Sequence, residues 1–355
     1  MTQNSFKAWL KEWFDAILFA VVVATLVRWL TLEAFVIPTP SMEKSMLVGD
    51  YLFVSKLHYG TRIPKTPLQV PLTHQFIWGT KLPSYVDWIE LPYYRLPGFS
   101  EVKRNEPVVF NLPHEHEYPD DLKTFYVKRC VAIPGDTLTI DDQQIYINGT
   151  PQETKGIHQT SYLVVTNTQI NERIFDQYNI RDFYKVNKGY VVHMPTETIS
   201  EIEALEFVDG VEPIQYNQRI VQSNVFPNDG NTRWTIDNFG PLYMPKAGDQ
   251  IELTPENISL YQDAIIYYED NENVAIDESG VYIDGKKVDT YTFNQGYYWM
   301  MGDNRHNSLD ARYWGFVPED HIVGKPLFVF FSVEEGPWYT FPLRVRWSRL
   351  FKLFE

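Results

Sequence analysis

The chain has 355 residues, 44% hydrophobic and 15% aromatic, with a net charge of −15 and a pI near 5.0. That length exceeds one small domain, the apolar content excludes a disordered chain, and the acidic balance disfavours nucleic acid as a partner. The single cysteine, Cys130, excludes an internal disulfide and any cysteine-built zinc site.

In chain order, the first element is apolar. Ala16 to Val27 is an uncharged run, followed by Arg28. Alone it is shorter than the ~20 residues of a membrane span; if Arg28 snorkels toward an interface it extends to Leu32, near the ~17-residue lower limit. Trp13 and Trp29 stand where an aromatic belt is expected. A cleaved signal peptide fits less well, because Glu12 and Asp15 precede the run and no small-x-small site follows it. A buried core helix is the third reading. Residues 1–35 are expected to form an uncleaved anchor. Lys7 and Lys11 on one side and Arg28 and Lys44 on the other leave its orientation open.

Beyond Ile37 the pattern is mainly β. Tyr51 to Ser55, Pro107 to Phe110 and Thr124 to Ile133 are short apolar or alternating runs, punctuated by Gly49-Asp50, Asn111 to Pro113 and Pro134-Gly135-Asp136. These place a β core over residues 36–138 plus 295–340. Residues 61–103 read as an insertion dense in proline and aromatics, including Phe76, Trp78, Tyr85, Trp88 and Phe99. They fit either a membrane interface or cover for the core. Residues 139–294 are polar and acidic and read as an inserted β-rich domain. Its two hairpin signals end in Asn148-Gly149 and Asp284-Gly285. Thr198 to Val208 fits a short helix or a strand. The tail, residues 341–355, is basic and apolar within an acidic protein; it fits anionic lipid headgroups or plain C-terminal packing.

Three segments carry chemistry. Ser41 follows Leu32 by at most ~30 Å of extended chain, on a linker stiffened by Pro38 and Pro40. It is a candidate nucleophile, although a lone serine is more often a cap or turn residue. None of the eight histidines has a convincing setting as its base. His114 and His116 lie in a polar loop that suits a solvated turn or an adventitious metal. In Tyr126 to Val131, alternation sends Lys128 and Arg129 to opposite faces. A buried lysine loses its proton more readily, so Lys128 can serve as a base, although strand lysines usually snorkel. The window Gly302 to Pro318 packs Asp, Asn, Arg and Ser into a turn-rich loop that leads into a strand, and it reads as a site loop or an ion-paired turn.

Together these segments resemble bacterial type I signal peptidases. Ile37-Pro-Thr-Pro-Ser-Met-Glu-Lys-Ser-Met-Leu-Val-Gly-Asp50, Tyr126-Val-Lys-Arg-Cys-Val-Ala-Ile-Pro-Gly-Asp136 and Met301 to Glu319 are similar to three family boxes in the correct order, with Pro107 to Phe110 as the strand between the first two. The resemblance implies an antiparallel, barrel-like catalytic β core behind a transmembrane helix, carrying a large inserted domain. It implies a membrane-bound serine endopeptidase that cuts signal peptides from exported preproteins after Ala-x-Ala through an acyl-enzyme. Ser41 would be nucleophile and Lys128 general base. Ser308 would orient the lysine, and Thr39 with the Ser41 N–H would form the oxyanion hole. Asp303, Arg305, Asp310 and Arg312 would support the loop, and Phe35, Ile37, Tyr126 and Val127 would line the substrate pockets. No cofactor or metal is implied. Signal peptides and the bilayer are the expected partners, with transient contact to the secretion machinery. The implied location is the bacterial inner membrane, with the catalytic domain on its extracytoplasmic side.

Three places depart from the family pattern: Lys44-Ser45 stands for Pro-Thr, Asn105-Glu106 for Gly-Asp, and His306 for Asp. The rival readings are another Ser-Lys protease, such as a self-cleaving repressor, and a membrane-tethered, non-enzymatic β-domain that binds extracytoplasmic partners.

Overall fold

The computed structural model describes residues 3–153, 158–216, 224–277 and 280–354. Helix α1 (Gln3–Leu30) is a single helix of 28 residues. Its segment Phe6–Leu30 is long and apolar enough to cross a membrane and is almost wholly exposed. The helix starts well before the uncharged run, because Phe6, Trp9, Leu10, Trp13 and Phe14 extend its apolar surface past Lys11, Glu12 and Asp15. It ends short of Leu32. Arg28 does not snorkel freely: it donates to Glu33 at 2.6 Å and to the Thr73 carbonyl at 3.0 Å. Glu33 also meets Lys56 at 2.8 Å, so a buried carboxylate is matched by two cations at the helix exit.

Only Thr31 separates α1 from the main sheet. That sheet comprises β1 (Leu32–Val36), β2 (Asp50–Ser55), β3 (Pro107–Asn111), β4 (Phe125–Ala132), β5 (Tyr297–Met301), β6 (Val317–Pro318) and β7 (Ile322–Ser332). It is antiparallel, ordered β1-β2-β7-β3-β4-β5-β6, and curls into a half-barrel, so the protein is mainly β. Valine and aromatic residues dominate these strands and suit a pleated, packed surface. Val108, Phe110, Cys130, Met300 and Ile322 form one part of its core. Strand β3 pairs along β4 from Phe125 to Arg129, whereas β5 pairs only with Arg129 to Ala132 across a bulge. Residues Phe125 to Lys128 therefore keep an open edge, and β1 is the sheet's outer strand.

In the 61–103 insertion, isolated bridges such as Arg62↔Arg95 and Gln69↔Tyr85 replace regular strands. The insertion is tied to the helix end, where Thr61 donates to the Leu30 carbonyl at 2.6 Å. Its large aromatics mostly face outward rather than cover the core: Trp78 is 71% exposed and Trp88 83%. Between Asp141 and Thr290 the chain builds further small sheets and a helix, Ile258–Tyr267. Both hairpins form, with Asn148-Gly149 and Asp284-Gly285 in the left-handed region that such tight turns need. Ile199–Glu203 is helical. Phe226 and Phe239 from this region pack with Trp299 of β5 and Phe316, beside β6, in one apolar cluster. The inserted region thus shares a core with the sheet.

The tail packs without forming one continuous helix. After short turns at Phe341–Arg344 and Trp347–Arg349 it runs back along β7, with Phe351 N–H donating to Val329 O at 2.8 Å. Arg346 and Arg349 face inward, onto Ser332 and Asp50.

Candidate active site

Pro38 and Pro40 hold the chain after β1 extended until Pro40–Met42 closes a 3-10 turn, with Thr39 as its extended cap. Ser41 sits inside this turn, 8% exposed, on the wall of a cleft of about 420 Å³. As an early residue of the turn, its N–H has no acceptor within the turn and is free to face a ligand. The Thr39 hydroxyl lies 3.4 Å from Ser41 Oγ.

Strand β4 brings Lys128 to the same wall. Its Nζ donates to Ser41 Oγ at 2.9 Å and to the Val127 carbonyl at 2.9 Å, and lies 5.0 Å from the centre of the Tyr126 ring. The side chain is 2% exposed. Burial pulls its pKa down to about 8, against the opposing pull of the Asp310 and Asp303 carboxylates. A substantial fraction of neutral amine near pH 8, in contact with a hydroxyl, is the arrangement that proton abstraction from serine requires.

The Gly302 to Pro318 segment is an ion-paired scaffold behind this contact. Asp310 caps the turn Ala311–Trp314 and accepts from the Gly302 N–H at 3.0 Å. Arg312 meets the same carboxylate at 2.9 and 2.8 Å. Burial alone would raise Asp310, but Arg312 and these hydrogen bonds hold it below the usual carboxylate range. Asp303 accepts from Arg129 Nε and Nη2, both at 2.7 Å, and from Ser45 at 2.5 Å. The Arg305 guanidinium faces Met301 Sδ at 3.8 Å, and burial pulls it down to about 10. Ser308 is buried beside Gly302 and Asp310; the side-chain partner of Lys128 is Ser41 rather than Ser308. A Cβ added at Gly302 would stand 2.2 Å from Ser308 Oγ and 2.6 Å from the Ser41 carbonyl, so the three residues fit only with glycine there.

Phe35, Ile37, Tyr126 and Val127 all line the cleft, together with Leu52 and Val109. Arg129 and Ser45, which fix Asp303, were not singled out as site residues in the sequence. Arg129 carried a signal, since alternation sets it opposite Lys128; Ser45 carried none. Lys44 turns away from the cleft and donates to the Asn179 carbonyl. His114 stacks on Trp314 and His116 on Tyr267.

The chain is similar to signal peptidase I of Helicobacter pylori, 26% identical over 94% of this chain and 90% of that protein. It is likewise 26% identical to signal peptidase I of Buchnera aphidicola (subspecies Acyrthosiphon pisum) over 89% of this chain and 74% of that protein. Signal peptidase I of Rickettsia massiliae is 24% identical over 94% of this chain and 84% of its own length. The family model for signal peptidases, peptidase S26, matches residues 10–199 and 247–331, which include both walls of the cleft and the ion-paired loop. The chain belongs to the signal peptidase family, peptidase S26, and is a peptidase that cleaves signal peptides.

Proposed function

We propose that this peptidase works as a Ser-Lys serine endopeptidase. The observation that carries this reading is the 2.9 Å contact between a buried Lys128 amine and Ser41 Oγ at the wall of an apolar cleft. Neutral Lys128 takes the Ser41 hydroxyl proton as Oγ attacks the scissile carbonyl. The resulting oxyanion is held by the Ser41 N–H and the Thr39 hydroxyl. The Lys128 ammonium then protonates the leaving amine, and an ester to Ser41 remains. Lys128 next takes a proton from water, whose oxygen attacks the ester, and returns that proton to Ser41 Oγ as the product leaves as a carboxylic acid, which then ionises in solvent. Ser308 serves as a second partner for the lysine when its hydroxyl turns toward Nζ. Asp303, Arg305, Asp310 and Arg312 hold the loop in place.

The open edges of β1 and β4 flank the cleft and suit an extended peptide added as a strand. Phe35, Ile37 and Val127 make shallow apolar walls, so small side chains such as those of an Ala-x-Ala junction fit there. The α1 helix anchors the enzyme in the bilayer with the cleft at its extracytoplasmic surface, and the outward Trp78 and Trp88 rest in the headgroup region. The test is cleavage of a preprotein with an Ala-x-Ala junction by wild type, Ser41→Ala and Lys128→Ala in lipid. Cleavage by the wild type alone supports the dyad, and activity surviving either substitution sinks it.

A further inference from the structure

The departures at Lys44 and His306 share an explanation, because both side chains bind the inserted region. Lys44 donates to the Asn179 carbonyl. The His306 ring is completely buried: its Nδ1 accepts from the Ser161 N–H at 3.1 Å, so Nε2 carries the proton and donates to Asp237 at 2.8 Å. Gln159 adds a strand-like bridge along the loop, with its N–H on the Asp303 carbonyl at 2.9 Å and its carbonyl on the Arg305 N–H at 2.8 Å.

A fourth contact reaches the nucleophile. One oxygen of Asp182 accepts from Asn304 Nδ2 at 3.0 Å and from Asn307 Nδ2 at 2.6 Å. The same Asn304 Nδ2 donates to the Pro40 carbonyl at 3.3 Å, and the Asn304 N–H donates to the Ser41 carbonyl at 3.0 Å. The Pro40 carbonyl and the Ser41 N–H belong to one planar peptide unit. Fixing that carbonyl from behind therefore fixes where the N–H points into the cleft. An amide nitrogen has two hydrogens, and Asn304 uses one on Asp182 and one on Pro40, so Asp182, which also faces His193 Nε2 at 3.7 Å, helps set the rotation of the Asn304 side chain.

We propose that Asp182, in the inserted region, is a positioning residue for peptide cleavage: through Asn304 it aims the Ser41 N–H at the oxyanion. This rests on the reading of Ser41 as the nucleophile. The relay acts on a contact that strengthens in the transition state, so it bears on kcat rather than on substrate binding.

The experiment measures kcat and KM of the full chain in lipid on one preprotein, with melting temperatures, for Asp182→Ala, Asp182→Asn, Asn304→Ala and the Asp182→Ala/Asn304→Ala pair. Misaiming one oxyanion donor predicts about a tenfold fall in kcat for Asp182→Ala, with KM within about twofold. Asp182→Asn keeps an acceptor oxygen and restores most of the rate. The pair is no slower than Asn304→Ala alone. Asp182→Ala with a kcat within about twofold of wild type overturns the proposal. So does failure of Asp182→Asn to restore the rate, or a pair whose losses multiply. A fall in melting temperature with an unchanged kcat per folded molecule also overturns it. Ser41→Ala, run alongside, separates the two readings: residual cleavage there removes the nucleophile assignment whatever Asp182 does.

Discussion

Lys128 and Arg129 are neighbours on β4 that anchor two different parts of the site: the amine meets Ser41 at 2.9 Å, and the guanidinium grips Asp303 at 2.7 Å. Strand alternation makes this possible, because adjacent side chains leave a strand on opposite sides. One short segment thereby ties the Ser41 turn and the polar loop to the same piece of sheet.

As the proposed base, the Lys128 amine predicts the pH dependence. With burial placing its pKa at about 8, kcat/KM should rise about tenfold per pH unit below that point and level off above it. The stability linkage has a matching sign. The unfolded lysine keeps its proton to about pH 10.4 while the folded one releases it near 8, so stability from this group grows between those values and is least below 8. Initial rates between about pH 6 and 10 check this, and a flat profile would remove Lys128 as the base.

Arg129→Ala leaves the buried Asp303 carboxylate without its cation. Removing one partner of a buried pair costs about 3–5 kcal/mol. Chemical unfolding of Arg129→Ala, Asp303→Asn and the pair should show the double variant losing less than the sum of the singles.

Gly302→Ala should cut kcat by about a hundredfold or more, because the new methyl group displaces either Ser308 or the Ser41 carbonyl. The comparison that checks it is kcat of Gly302→Ala against Gly135→Ala. An added Cβ at Gly135 meets only the flexible Lys246 side chain at 3.7 Å, although the left-handed backbone there costs some stability.

Arg349 reaches back from the tail to Asp50, with its Nε at 2.9 and 3.0 Å from the two oxygens, and to the Ser45 carbonyl at 3.1 Å. Arg349→Ala should destabilise the protein by about 2 kcal/mol and lower kcat, since Ser45 also holds Asp303. Thermal unfolding alongside turnover tests this, and unchanged values for both would show the tail to be dispensable.

The extended turn at Ser41 and the strand carrying Lys128 were legible because their residue types state their conformation, whereas the placing of Phe35, Ile37, Tyr126 and Val127 around one cleft came from the family resemblance. The long apolar helix was legible, but its ends were not: the run reached Leu32 only if Arg28 snorkelled, and Arg28 is instead fixed by Glu33 and Thr73, which lies 45 residues away. The contacts of Asp182 and Asp237 with the loop were hidden for a related reason. Aspartates in a polar stretch look alike, and contacts remote in sequence, such as the Gln159 bridge to Asp303 and Arg305 and the packing of Phe226 and Phe239 against Trp299, bring that stretch to the loop. The basic tail left lipid binding and C-terminal packing both open, and composition alone does not reveal that Arg346 and Arg349 are matched to a buried aspartate.

The single residue between α1 and β1 has a mechanical consequence. With Arg28 locked to Glu33 and Thr61 bonded to the Leu30 carbonyl, the helix exit has no swivel. In a bilayer that holds α1, the cleft stands at a set height above the hydrocarbon, as on a fixed post. A peptide bond reaches Ser41 only if its own spanning segment releases it at that level. On the proposed anchoring, the length of what a substrate leaves in the membrane would count alongside the side chains beside the cut.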